Sequence, residues 1–218
     1  MNFFAEHYYF WTPRNKKSLY VGVLLLAMAM LIQAYAGQYS YHKAISAAAA
    51  EDTLLDILPA VNLGWLIVQG SLISILIAMF LLVRYPYHFL FGLKVTALFI
   101  VVRAVFMTLT QIGIYPEGVD FKLSVGSGIY NFFNFPGNFF FSGHTGLPFL
   151  MALVFWHERP LRAFFLCLSL VFGVSVLLAR VHYSIDVFAA PFIAYGIFKI
   201  AQWLFNGDYL ILLKDYEG

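Results

Sequence analysis

His182 and Asp186 stand four residues apart at the head of an apolar run, in the stretch Arg180-Val-His-Tyr-Ser-Ile-Asp186. On a helix that spacing places both side chains on one face, one turn apart. A carboxylate there can accept the Nδ1 proton of the imidazole and leave Nε2 as an oriented nucleophile or base. Desolvating an aspartate inside a membrane helix costs roughly 2.5–3.5 kcal/mol on insertion scales, and a cost of that size usually marks function. The bland alternative is a buried His-Asp pair that only joins two helices.

A second set of polar residues, Ser142-Gly-His-Thr145, opens another apolar run. Amides at a helix N-terminus point at an incoming anion, and Gly143 lets a ligand approach the backbone closely. Ser142 adds a hydroxyl donor, and His144 can give or take a proton. Pro148 removes the amide that would bond the His144 carbonyl, so the helix should be loosened there. The alternative is a plain polar helix start, with Ser142 and Thr145 capping the backbone. A second histidine alongside a His-Asp pair favours chemistry over capping alone.

Arg103 lies well inside a third apolar run, which also carries Lys94. Nine residues at about 100° each put the two cations on opposite faces. Lys94, near the start of the run, can snorkel to the nearer interface, whereas Arg103 cannot. Positions 103, 107, 110 and 111 follow helical spacing, so Arg103, Thr110 and Gln111 form a polar stripe broken by Met107. Such a stripe should face a cavity or another helix rather than lipid.

The elements that must position these residues follow from composition. Of 218 residues, 62% are hydrophobic and only 11% charged, and the mean hydropathy is +0.81. A soluble domain averages about 25% charged residues, so the chain reads as an all-α, polytopic membrane protein forming one domain over residues 1–218. Nothing in its charge pattern points to nucleic acid. Cys167 is the only cysteine, which excludes an intrachain disulfide and a cysteine metal site, and its apolar setting predicts a core side chain.

Residues 1–18 read as an amphipathic segment lying on the membrane surface. Six spans follow, at about 19–36, 62–83, 89–114, 139–156, 163–179 and 181–205. The rival reading of the first is a cleaved signal ending at Ala34-Tyr-Ala36, although its apolar run exceeds the usual signal core. Residues 37–60 form a polar connection with a short surface helix, and Arg84-Tyr-Pro-Tyr-His88 is a tight turn. In the loop 116–138, Gly126-Ser-Gly128 and Pro136-Gly137-Asn138 read as turns, a phosphate cradle being the weaker alternative.

Six spans put both termini on one side, with Arg14, Lys16, Lys17, Arg84, Arg159, Arg162, Lys199 and Lys214 at that face. The opposite loops hold Lys43 and Lys122, with Arg180 at the membrane edge. The excess of basic residues predicts cytoplasmic termini. The 142–145 and 182–186 clusters and Arg103 then converge at one depth, towards the non-cytoplasmic face.

Phe-Ser-Gly-His-Thr at 141–145, followed by His-Tyr-Ser-x-Asp-Val at 182–187, resembles the type 2 phosphatidic acid phosphatase superfamily. The second motif is most similar to its sphingomyelin-synthase-like branch, and Arg103 with Thr108, Thr110 and Pro116 resembles that branch's upstream motif more loosely. The resemblance implies a histidine nucleophile at His182, an orienting carboxylate at Asp186 and a general acid at His144. The chain departs from the phosphatase pattern in lacking Lys-x6-Arg-Pro and in carrying Val176 where that branch has an arginine. It departs from the synthase pattern in carrying Pro136-Gly137-Asn138 where that branch has Cys-Gly-Asp. The phosphate charge then falls to Arg103 and Arg180, with Ser142 and Gly143 at the anion-binding helix start.

The expected activity is transfer of a phospho-head group from a phospholipid to a lipid alcohol through a phosphohistidine. No metal or other cofactor is required, because arginines, a serine and backbone amides can neutralise the phosphoryl oxygens. Hydrolysis of a lipid phosphate is the alternative within that chemistry. A catalytically silent scaffold or a solute carrier is the alternative outside it. The intact His-His-Asp set argues against the scaffold, and the lack of inverted repeats gives the carrier no support.

Overall fold

The computed structural model of the protein describes residues 3–115 and 140–214, and every regular element among them is helical. The elements in order are α1 (Phe3–Phe10), α2 (Pro13–Ser46), α3 (Thr53–Ile57), α4 (Gly64–Arg84), α5 (Pro86–Leu109), α6 (Gly143–Val154), α7 (Arg159–Leu178), α8 (Ser184–Leu204) and α9 (Asn206–Leu213). In hydrocarbon a backbone must satisfy its own hydrogen bonds, so long apolar runs fold as helices. Their boundaries come from local chemistry. Pro13 and Pro86 open α2 and α5, where a missing N–H costs nothing, and Thr12 caps α2 by accepting from the Asn15 amide.

Five helices, α2, α4, α5, α7 and α8, are long and apolar enough to cross a membrane. The fourth apolar run behaves differently. Its helix, α6, has only 12 residues, about 18 Å at 1.5 Å per residue, against a hydrocarbon core of about 30 Å. Five of the six expected spans are therefore present as helices long enough to cross, and the fourth is a shorter apolar helix.

α5 is the axis of the bundle, with more than half of its apolar window buried in protein, while α2 and α4 present most of theirs outward. Phe91, Phe99, Phe141, Phe155, Phe165 and Phe198 form the aromatic core around it. Lipid is as apolar as these side chains, so helix association depends on close packing at small residues. A Cβ on Gly146 would lie 2.9 Å from the Phe99 ring, and one on Gly173 would lie 3.2 Å from Val187. These two contacts seat α6 on α5 and α7 on α8.

Several expectations are corrected. The first spanning helix, α2, runs from Pro13 to Ser46, taking in the basic residues Lys16 and Lys17 and part of the expected connection; the surface helix is confined to Thr53–Ile57. α5 stops at Leu109, so Thr110 turns back to bond the Phe106 carbonyl and Gln111 is exposed, which dissolves the expected polar stripe. Cys167 is exposed on the outer surface of α7 instead of lying in the core. Lys94 does not snorkel. Its ammonium is buried and bonds Asp208 Oδ2 at 2.5 Å and Ser18 Oγ at 2.8 Å, locking α9 against α2 and α5. The turns expected at 126–128 and 136–138, and Lys122, lie outside the described residues.

Candidate active site

The starts of α6 and α8 meet at one end of the bundle, where the Ser142 amide donates to the Asp186 carbonyl at 3.0 Å. His182 does not sit within a helix. It occupies the turn between α7 and α8, just before the first helical residue, Ser184. The turn is shaped by Arg180, whose φ of 54° is left-handed, and by amide bonds from Arg180 to the Leu177 carbonyl and Val181 to the Val176 carbonyl.

The four-residue spacing nonetheless brings the pair together, because Asp186 lies in the first turn of α8 and reaches back. Its Oδ2 accepts from the Tyr183 amide at 3.1 Å and meets His182 Nδ1 at 3.2 Å. A carboxylate can only accept, so Nδ1 carries the proton and Nε2 is left with its lone pair. His182 is 4% exposed and Asp186 1%. The His144 ring lies 5.9 Å from that of His182, centroid to centroid, at 66°.

Arg103 approaches from α5. Its Nε donates to the Phe141 carbonyl at 2.9 Å, just before α6, and its Nη1 lies 3.1 Å from Met107 Sδ. The guanidinium rests against Gly143, where a Cβ would stand 3.1 Å from Nε and 3.5 Å from Cζ. A cation is thus held beside the positive end of α6, an arrangement that costs energy unless an anion joins it. Ser142 serves as the N-cap of α6: its oxygen accepts from the Thr145 amide at 3.4 Å and from the Thr145 hydroxyl at 3.3 Å. Those bonds leave the Ser142 O–H proton to donate.

A strap of residues 47–63, including α3, covers this end. Asp52 Oδ2 accepts from the Ser184 amide at 2.6 Å, and Oδ1 accepts from the amides of Leu54 and Leu55. Burial pushes the Asp52 carboxyl up, but the bonds from Ser184, Leu55 and Leu54 outweigh it and hold the group below the usual carboxylate range. The Tyr183 hydroxyl accepts from the Ala50 amide and donates to the Gly113 carbonyl, both at 3.0 Å. Arg180 turns into the same strap, with Nη2 3.3 Å and 3.2 Å from the Leu55 and Leu58 carbonyls and its guanidinium over the Tyr115 ring.

Of the residues expected from sequence, His182, Asp186, His144, Arg103, Ser142 and Gly143 come together at the two helix starts. Arg180 is adjacent but engaged with the strap. Sequence reasoning missed Asp52 and Tyr183. The signal available for Asp52 was the Asp-Thr pair before an apolar turn, which marks an N-cap but names no distant partner. Among the described residues, no three or more His, Cys, Asp or Glu side chains gather in a group that could hold a metal ion.

Fold and composition define an integral, multi-pass membrane protein with a polar site at the meeting point of two helix starts. Residues 137–203 match the family model described as PAP2 superfamily C-terminal, the type 2 phosphatidic acid phosphatases. This C-terminal stretch, which carries His144, His182 and Asp186, is similar to that superfamily of membrane lipid phosphatases and phosphotransferases. No curated protein matches the chain.

Proposed function

We propose that the protein transfers a phospho-head group from a phospholipid to a lipid alcohol through a phosphohistidine on His182. The observation that carries this reading is the pair of imidazoles 5.9 Å apart, one oriented by Asp186 and the other on a helix start that Arg103 overlies. Nε2 of His182 attacks phosphorus, and the bond from phosphorus to the diacylglycerol oxygen breaks. That oxygen takes a proton from His144 as it leaves. The Asp186 carboxylate steadies the positive imidazole ring that forms. Arg103, the Ser142 hydroxyl and the first amides of α6 face the equatorial oxygens and stabilise the charge spread over them, without a metal.

In the second half, a lipid alcohol enters, gives its proton to His144 and attacks phosphorus, and His182 leaves. Burial favours this acceptor over water. His182 is 4% exposed beneath the strap, and a dry site slows hydrolysis of a reactive intermediate. The likeness of His182-Tyr-Ser-Ile-Asp-Val187 to the sphingomyelin-synthase-like branch supports the same choice. The basic residues at the opposite end, Arg14, Lys16, Lys17, Arg84, Arg159 and Arg162, support a non-cytoplasmic active site.

The test is purified protein incubated with head-group-labelled phospholipids, with and without a lipid alcohol. Label in a new lipid only when the alcohol is present is the expected result. Label released to water at the same rate in both arms would establish hydrolysis instead. His182→Ala should be inactive, and Asp186→Asn should keep a small residual rate, since it spoils ring orientation without removing the nucleophile. Near-normal turnover in His182→Ala would overturn the assignment.

A further inference from the structure

We propose that Asp52 is a positioning residue for His182, acting across the strap to hold the turn that presents the imidazole. His182 belongs to no helix, so its backbone is only as fixed as the turn at 179–183. From inside, the Asp186 carboxylate grips the ring and the Tyr183 amide. From outside, Asp52 grips the next amide, that of Ser184, at 2.6 Å. His182 therefore lies beside two consecutive amides, each held by a different carboxylate. Two negative groups at one helix start are favourable, because the first amides of α8 have no partners within the helix.

Asp52 is suited to this by having two acceptor oxygens, both in use. Oδ2 serves Ser184, while Oδ1 caps α3 through Leu54 and Leu55 at 3.1 and 3.2 Å. One carboxylate, 7% exposed, thereby ties the strap to the turn. The Tyr183 hydroxyl makes a second tie, to Ala50 in the strap and to Gly113, whose own amide bonds the Ala48 carbonyl at 3.0 Å. Asparagine cannot substitute. It has one carbonyl oxygen, and its NH2 would face either Ser184 N–H or the two α3 amides, donor against donor.

This role rests on His182 being the nucleophile, so the experiment separates the two ideas. Head-group transfer is measured per folded molecule for wild type, His182→Ala, Asp52→Asn, Asp186→Asn and the Asp52→Asn/Asp186→Asn double variant. Asp52→Asn is expected to lower kcat by about 10²-fold, the effect of a misplacement near 1 Å, with KM within about two-fold. Because both carboxylates act on one ring, the double variant should fall within about three-fold of Asp186→Asn alone. Wild-type kcat in folded Asp52→Asn, or losses that multiply in the double variant, would overturn the proposal. Should Asp52→Asn fail to fold, Tyr183→Phe cuts the parallel tie and is expected to show the same fall in kcat at constant KM; wild-type kcat there is the refuting result. Activity surviving in His182→Ala would instead remove the phosphohistidine reading. Deuterium exchange of the 182–186 amides in Asp52→Asn then still decides: faster exchange than wild type supports the tether, and unchanged exchange overturns it.

Discussion

Replacing Arg103 with lysine separates a phosphate clamp from a structural tie. The guanidinium does two things at once: Nε holds the Phe141 carbonyl at 2.9 Å, and the planar group lies over Gly143 at the start of α6. A lysine ammonium is a single point at the end of a flexible stem and cannot hold the carbonyl while meeting a phosphoryl oxygen in a two-pronged contact. One hydrogen bond from a charged donor contributes about 1.5–3 kcal/mol, and each ~1.4 kcal/mol in a barrier is ten-fold in rate. Arg103→Lys should therefore turn over roughly 10- to 150-fold more slowly, and Arg103→Ala at least as slowly. The loss should appear in kcat, because the charge to be met grows in the transition state. The assay is head-group transfer at saturating lipid, divided by folded protein counted by size-exclusion chromatography. Folded Arg103→Lys with more than half of wild-type turnover would refute the clamp. A fall in folded yield with unchanged specific activity would make Arg103 a purely structural tie.

Gly143→Ala tests the same contact from the other side. Its Cβ would stand 3.1 Å from Arg103 Nε, so the guanidinium must move about 0.3 Å. If 1 Å costs about 10²-fold, turnover should drop about four-fold with thermal stability unchanged, and an unaltered rate would show that the approach is unimportant. At the far end, Lys94→Met strands the buried Asp208 carboxylate and should destabilise the protein by about 3–5 kcal/mol. Adding Asp208→Asn should recover much of that loss, and a Lys94→Met protein that melts like wild type would show that the pair does not secure α9. For sidedness, a cysteine at exposed Glu51 in a Cys167→Ala background should react in intact cells with an impermeant maleimide. Reaction only after lysis would place the strap and the site on the cytoplasmic face.

The sequence alone determined where the helices lie and which short motifs carry chemistry. Hydrocarbon forces a long apolar run into a helix whatever its neighbours do, so α4, α5 and α7 could be read from composition. His182 and Asp186 could be paired because their bond spans four residues, and local geometry delivers it even though His182 stands outside the helix. Side chains whose partners are distant in sequence were beyond that reach. Lys94 and Arg103 lie in one apolar run, and sequence could send the first only to the membrane interface and the second to a polar stripe; tertiary packing gives one to Asp208, 114 residues away, and the other to the Phe141 carbonyl. Arg180 is a secondary candidate for the phosphate in sequence, beside Arg103, but a left-handed backbone at position 180 places its guanidinium beside the Leu55 and Leu58 carbonyls. Asp52 carries no mark in the sequence beyond that of a helix cap, because its second oxygen finds Ser184 only when the strap folds over the start of α8. Periodicity records which face of a helix is apolar; which polar groups meet depends on the relative placement of whole helices, and no local pattern encodes that.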